Sequence, residues 1–312
     1  MPKLLILSPK ADHYAALIQT YDLPDLTMTA MSDSRQASQH SITADIIFGP
    51  PHLIGPLLPQ AAHLHWVQST WAGVDTLLQP GCRQDYLLTG VKGIFGPLMS
   101  EYVFCHLLLI ERKVQQRYQA QLRRQWEASQ TGTLRGKRLG LLGVGSIGRH
   151  IAQTAKYFGM HTQGYTRQSA DCEFIDRYFH GDHLLDFVEG LDYLVCILPH
   201  TPANHHLVNA ELLQALPRHA YLLNIGRGQS LDEMALATTL QNQTIAGAVL
   251  DVFQQEPLPP EHPFWSTPNL TITSHTAAPT FPEDVVPIFV ENYCRFIAGQ
   301  PLNYLIDFER GY

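Results

Sequence analysis

An α/β fold of two doubly wound parallel-sheet domains is what this sequence predicts, and three observations predict it. Apolar runs of strand length alternate with stretches of helical periodicity, the pattern of parallel strands joined by crossover helices. One run, Arg138–Gly143, leads directly into Gly143-x-Gly145-x-x-Gly148 and then into a helical stretch. The chain also has 312 residues, which points to two cores rather than one.

Taken in order, Leu4–Ser8 reads as a buried strand and Ala11–Tyr21 as a helix. Asp45–Gly49, Leu64–Ser69 and Leu87–Val91 read as further strands. Pro97 to Trp126 reads as one long helix, apolar in its first half and polar in its second. Its length suits a bridge between domains or a face against a partner subunit. Six strands follow: Arg138–Gly143, His161–Thr166, Tyr193–Leu198, Ala220–Asn224, Gly247–Asp251 and Leu270–Ser274. The last helix, Phe281–Ala298, and the tail Leu302–Tyr312 return to the first domain. The expectation is therefore a Rossmann-type cofactor domain, 99–280, inserted in a flavodoxin-like substrate domain, 1–98 and 281–312.

Composition narrows the function. The chain is 45% hydrophobic and 16% charged, with a net charge of -7. Nucleic acid is a poor partner for it, because phosphate contacts need clustered Lys and Arg. The five cysteines are widely spaced and form no Cys-x-x-Cys, which reads as reduced thiols in a cytoplasmic protein. The apolar part of the N-terminus is too short for a signal peptide, and no apolar run reaches transmembrane length. No membrane role is expected.

The glycine motif carries the cofactor expectation. Gly143 allows a tight turn, Gly145 lets a pyrophosphate approach the backbone, and Gly148 lets helix and strand pack closely. The free N–H groups and positive dipole end of the following helix suit phosphate. In NAD-selective sites an acidic residue about 20 residues on binds the ribose 2′-OH. Here no acidic residue occurs between Gly148 and Asp171, and the second strand ends at Thr166-Arg167-Gln168-Ser169. Arg167 can pair with a 2′-phosphate, with Thr166 and Ser169 as hydroxyl donors. The expectation is NADP(H) in preference to NAD(H).

Three residues beyond strand ends are candidates for chemistry: Arg227, flanked by Gly226 and Gly228, Glu256, and His275. Ligands of open α/β sheets collect outside the carboxyl ends of strands, so these three distant residues are expected in one cleft. A His beside a carboxylate has a raised pKa and can donate a proton near neutral pH. An Arg suits the carboxylate of a 2-oxo acid. Singly, each also reads as an ordinary surface or loop residue. His200, His205 and His206 cluster without a Cys or carboxylate to complete a ligand set, so no metal is expected. No lysine follows a Tyr by four residues, which removes the short-chain dehydrogenase pattern.

Together these stretches resemble the D-isomer-specific 2-hydroxyacid dehydrogenase family, and within it the glyoxylate/hydroxypyruvate reductase A branch. The resemblance rests on Gly143–Gly148, Leu198-Pro199-His200-Thr201-Pro202, Leu223–Gly228, Leu250–Phe253, Glu256-Pro257-Leu258 and His275–Ala278, in the family's order. The tail Arg310-Gly311-Tyr312 shares it. The resemblance implies NADPH-dependent reduction of glyoxylate to glycolate and of hydroxypyruvate to D-glycerate. His275 would be the acid/base, Glu256 would hold and charge it, and Arg227 would bind the substrate. Gly143, Gly145, Ser146, Ile147, Gly148, Thr166, Arg167, Ser169, Ile225, Gly226 and Ala277 would line the cofactor. Leu198 and Pro199 would take its adenine side, and Asp251 the nicotinamide carboxamide. Ala72, Gly73 and Val74, with Trp71 beside them, would meet the substrate carboxylate, and Met99 would sit near the nicotinamide. Such enzymes are cytosolic homodimers. Trp71 departs from the branch, which tends to have Gly there, and leaves bulkier 2-oxo acids as an alternative substrate class. A dinucleotide-sensing, corepressor-like protein without turnover is the alternative from another functional class.

Overall fold

The computed structural model describes residues 1–309, so the tail Arg310-Gly311-Tyr312 lies outside the described residues. In chain order the first elements are β1 (Lys3–Leu7), α1 (Ala11–Gln19), β2 (Thr27–Met31), α2 (Ser34–Ser41), β3 (Ile46–Gly49), α3 (Pro51–Ile54), β4 (Trp66–Ser69) and β5 (Leu87–Thr89). Then come α4 (Gly96–Glu111), α5 (Val114–Leu122), β6 (Arg138–Leu142), α6 (Ser146–Tyr157), β7 (His161–Tyr165), β8 (Arg177–Phe179) and α7 (Leu184–Val188). The rest are β9 (Tyr193–Cys196), α8 (Ala210–Ala215), β10 (Tyr221–Asn224), α9 (Glu233–Gln241), β11 (Gly247–Leu250), β12 (Leu270–Ile272) and α10 (Pro282–Ile297).

Two compact units result. One is Met1–Ile94 together with the chain from Thr280 onward, and the other is Phe95–Pro279. The first contains a five-stranded sheet in the order β2-β1-β3-β4-β5, and the second a seven-stranded sheet in the order β12-β11-β10-β9-β6-β7-β8. Every strand pair in both sheets is parallel. The first order is that of a flavodoxin-like sheet. The second is the six-stranded dinucleotide-binding order with one strand added.

Strands covered on both faces read as near-continuous apolar runs, and β3, β9 and β11 do; β1 and β6 depart from this only at an exposed first residue, Lys3 and Arg138, and β10 only at its last, Asn224. Edge strands escape that demand. β2 reads Thr-Met-Thr-Ala-Met and is only half-buried, and β8 has three residues. Neither carries a continuous apolar run, so the sequence expectation omitted both.

The long helix expected from Pro97 to Trp126 is instead two helices. The carbonyl oxygen of Glu111 accepts the Gly132 N–H at 2.9 Å, which removes it from the helical ladder. Lys113 then turns left-handed at φ 52°, and α5 starts anew. The cause is a contact made 21 positions along the chain, Glu111 to Gly132, which helical periodicity does not register.

In the first unit α10 closes the core. Phe289 packs edge-on against Phe48 at 5.2 Å and stacks on Trp66 at 5.4 Å. Fully buried Asn292 donates to Gln68 Oε1 and to the Asn303 carbonyl, and accepts the Asn303 N–H. The chain end runs on beside β5, where the Ile306 N–H donates to the Leu88 carbonyl at 2.8 Å.

Candidate active site

The second unit places its loops by backbone chemistry first. β6 ends at Leu142, and Gly143 adopts φ +105°, open only to glycine at low cost. A Cβ on Gly148 would lie 2.6 Å from the Gly143 carbonyl oxygen, so a side chain there would push the helix off the turn. A Cβ on Gly145 would meet nothing within 4 Å. The cradle is open there, at the start of α6, where the first N–H groups lack helical partners. These are the features a pyrophosphate needs, and Ser146 and Ile147 stand in that first turn.

Beyond β7 the loop carrying Arg167 and Ser169 is exposed. The Thr166 hydroxyl donates to the Ser169 carbonyl and meets His180 Nδ1 at 3.1 Å, so it braces the loop. Asp171, the first acidic residue after the glycines, is ion-paired with Arg149. Leu198, half-buried, and Pro199, exposed, follow β9. A Cβ on Gly226 would come within 2.7 Å of the Leu198 carbonyl oxygen, so the loops after β9 and β10 touch backbone to backbone. Ile225 beside it is buried.

Arg227 sits just past β10, and its carbonyl is clamped by Asn224 Nδ2 at 3.0 Å and Ser230 Oγ at 2.7 Å. Its Nη1 donates to the Gly226 carbonyl at 2.7 Å. Glu256 accepts the Phe253 N–H on Oε1 at 2.9 Å and pairs with His275 Nδ1 through Oε2 at 2.7 Å. The His275 side chain is 52% exposed. With Nδ1 committed to Glu256, Nε2 is the nitrogen available to a bound molecule.

The hydrogen bond that His275 donates to Glu256 raises its pKa above the usual histidine value, against burial, which lowers it. Burial pushes Glu256 up, but the His275 and Phe253 bonds outweigh it and hold the carboxyl below the usual range. Arg227 acts electrostatically on both. Arg227, Glu256 and His275 are therefore brought together within one unit.

Asp251, expected at the nicotinamide carboxamide, is 1% exposed. Its carboxylate accepts the Thr273 hydroxyl and the N–H groups of Thr276 and Ala277. These bonds and the His275 N–H donated to its carbonyl tie it to the His275 turn. Met99 is half-buried on α4 and packs against the core of the same unit. Trp71, Ala72, Gly73 and Val74 belong to the first unit. There Val74 is buried in the core, while Trp71 is 43% exposed and its ring lies 4.8 Å from that of His52. Trp71 thus does not point into the core. His205 and His206 stack at 4.0 Å, and among the described residues no group of three or more His, Cys, Asp or Glu could hold a metal.

Residues 104–277 match the family described as D-isomer specific 2-hydroxyacid dehydrogenase, NAD binding domain. The chain belongs to this dehydrogenase family. A relative from Yersinia enterocolitica, named glyoxylate/hydroxypyruvate reductase A, is 31% identical over 86% of this chain and 87% of its own. A crystal structure of a D-isomer specific 2-hydroxyacid dehydrogenase family protein from Aeromonas salmonicida is 44% identical, with a TM-score of 0.96 over 98% of this chain and 99% of that one. The NADPH-dependent glyoxylate/hydroxypyruvate reductase of Sinorhizobium meliloti, solved with NADP and sulfate, is 25% identical, with a TM-score of 0.87 over 100% of both chains.

Several dehydrogenase residues escaped the sequence reading. Asn224 and Ser230 clamp Arg227. Glu233, 8% exposed, holds the Gln254 N–H at 2.9 Å and pairs with His262 at 3.3 Å, bracing the loop that ends in Glu256. Only Asn224 gave a signal, as a polar residue closing an apolar strand. The glycine turn separates two roles. Gly145→Ala should weaken NADPH binding and leave the melting temperature unchanged. Gly148→Ala should lower both, because its Cβ meets backbone. Fluorescence titration and thermal melts read the two effects.

Proposed function

We propose that this dehydrogenase uses NADPH to reduce small 2-oxo acids, glyoxylate to glycolate and hydroxypyruvate to D-glycerate. The observation that carries the reading is the Glu256–His275 pair with Arg227 acting on both. When bound, a reduced nicotinamide supplies the hydride to the carbonyl carbon. His275, protonated and oriented by Glu256, gives the carbonyl oxygen its proton from Nε2. The loss of that proton leaves a neutral imidazole. Arg227 takes the substrate carboxylate and the carbonyl oxygen that His275 protonates. The glycine turn and the start of α6 would hold the pyrophosphate.

Arg167 supports NADPH, since a guanidinium stands where NAD-selective sites place a carboxylate. The name of the Yersinia relative supports the same substrates, and that of the Sinorhizobium relative supports both the substrates and NADPH. The apolar faces of α4 and α5 support a homodimer. Val114, Tyr118 and Leu122 recur every four residues, which puts them on one side of α5, and all are exposed along with Leu108 and Leu109. The five free thiols suit the reducing cytoplasm, which cell fractionation checks.

Absorbance assays with NADPH and NADH against glyoxylate, hydroxypyruvate, pyruvate and phenylpyruvate should show turnover with NADPH and the two smallest acids. Turnover with phenylpyruvate alone would move the substrate to a bulkier acid, and NADPH binding without turnover would favour a sensing role. Arg167→Ala should raise KM for NADPH roughly ten- to hundredfold, the weight of a charge-assisted hydrogen bond, with little change for NADH. A raised His275 pKa makes kcat/KM for reduction full below that pKa and falling above it. Glu256→Gln should move the fall to lower pH, and a wild-type profile flat well past neutral would contradict His275 as the acid. Sedimentation should give a dimer that Tyr118→Glu with Leu122→Glu converts to monomer.

A further inference from the structure

Behind His275 lies a polar chain that the proposed chemistry does not use. Tyr102, on α4, meets Thr273 Oγ1 through its hydroxyl at 2.6 Å. Thr273 Oγ1 donates to Asp251 Oδ1 at 2.5 Å. An ionised carboxylate only accepts, so the threonine proton belongs to Asp251 and the tyrosine proton to Thr273. The hydrogen bonds run one way, from α4 to the carboxylate. Asp251 then accepts the Thr276 N–H at 2.8 Å and the Ala277 N–H at 3.0 Å, while its own carbonyl accepts the His275 N–H at 2.8 Å.

Those backbone bonds bracket a strained residue. His275 has φ 55°, a left-handed conformation that persists only when the surroundings over-determine it. Thr273, Thr276 and Ala277 flank it on both sides, and all three are tied to one carboxylate. The Tyr102 hydroxyl sits in an apolar setting, and burial raises its pKa to about 12. It therefore stays a proton donor across the working range. The ionisable groups around the chain are few. Asp251 and Cys105 act on Tyr102, whose ring packs 4.5 Å from that of His106, Asp251 also acts on His106, and His275 faces Glu256, Arg227 and Asp251.

We propose that Tyr102 and Thr273 are positioning residues, which through Asp251 lock the turn that presents His275 to the carbonyl oxygen. The inference rests on His275 being the proton donor. It separates two functions within the site. The relay fixes the His275 turn through the Asp251 carboxylate, whereas Arg227 is clamped by Asn224 and Ser230, which bond to other atoms. Loosening the relay therefore disturbs proton delivery and spares substrate binding.

The test is steady-state kinetics of the full chain with NADPH and either glyoxylate or hydroxypyruvate, with active sites counted by NADPH titration. Tyr102→Phe and Thr273→Val should each lower kcat about tenfold, with KM for the oxo acid within about twofold, as expected for an interaction that acts in the transition state. Thr273→Ser keeps the hydroxyl and should keep kcat. The double variant Tyr102→Phe/Thr273→Val should be no worse than the weaker single one, because one relay is cut once. Unchanged kcat in both single variants would overturn the relay, as would kcat and KM moving together or Thr273→Ser behaving like Thr273→Val. His275→Gln separates the two readings. Turnover kept in His275→Gln would remove the proton donor and the relay with it. Turnover lost there, beside wild-type kcat in the relay variants, would remove the relay alone. Should Tyr102→Phe fail to fold, the Thr273 pair decides.

Discussion

One buried carboxylate organises the end of the second unit's sheet. Asp251 stands just past β11, 1% exposed, where an unpaired charge would be strongly destabilising. It is matched by one hydroxyl and two backbone N–H groups, and its own N–H is bonded to the Asn224 carbonyl at 3.0 Å. It thus ties the end of β10 to the segments that follow β11 and β12. The left-handed turn at His275 hangs from this knot, and Glu256 comes up from the adjoining loop to meet the imidazole. Parallel sheets gather their strand ends at one edge; here the buried charge turns that edge into a fixed constellation.

What was legible in the sequence follows from what each element must satisfy. Central strands such as β6 and β9 are buried on both faces, so they announce themselves as apolar runs. β2 and β8 lie at sheet edges and carry no such mark. The break after Glu111 depends on a hydrogen bond from Gly132, and a long-range contact leaves no local pattern. Arg227, Glu256 and His275 were legible as polar residues just beyond strand ends, and the order of motifs sharpened them. The distance between Glu256 and His275 was not legible, because it depends on how the loops after β11 and β12 converge. Asp251 was expected in the site from family resemblance alone, and its bonds to Thr273, Thr276 and Ala277 required the fold. Tyr102, apart from that cluster on α4, looked like one more apolar residue of a helix.

Trp71 shows the same division. A tryptophan after β4 reads equally well as core or as surface, since its indole is large and amphipathic. The structure seats it against His52 with much of the ring exposed. Burial lowers the His52 pKa, which favours a neutral ring beside the indole.

The path of the chain sets the order in which the parts can form. The first unit needs Phe289 to fill the space between Phe48 and Trp66, and Asn292 adds a further hydrogen bond to buried Gln68. Both residues follow the whole of the second unit in sequence. On a ribosome the inserted unit emerges complete while its host still lacks a wall. Until the last helix arrives, β3 and β4 expose aromatic surface to the solvent, and shielding it falls to whatever the nascent chain meets first.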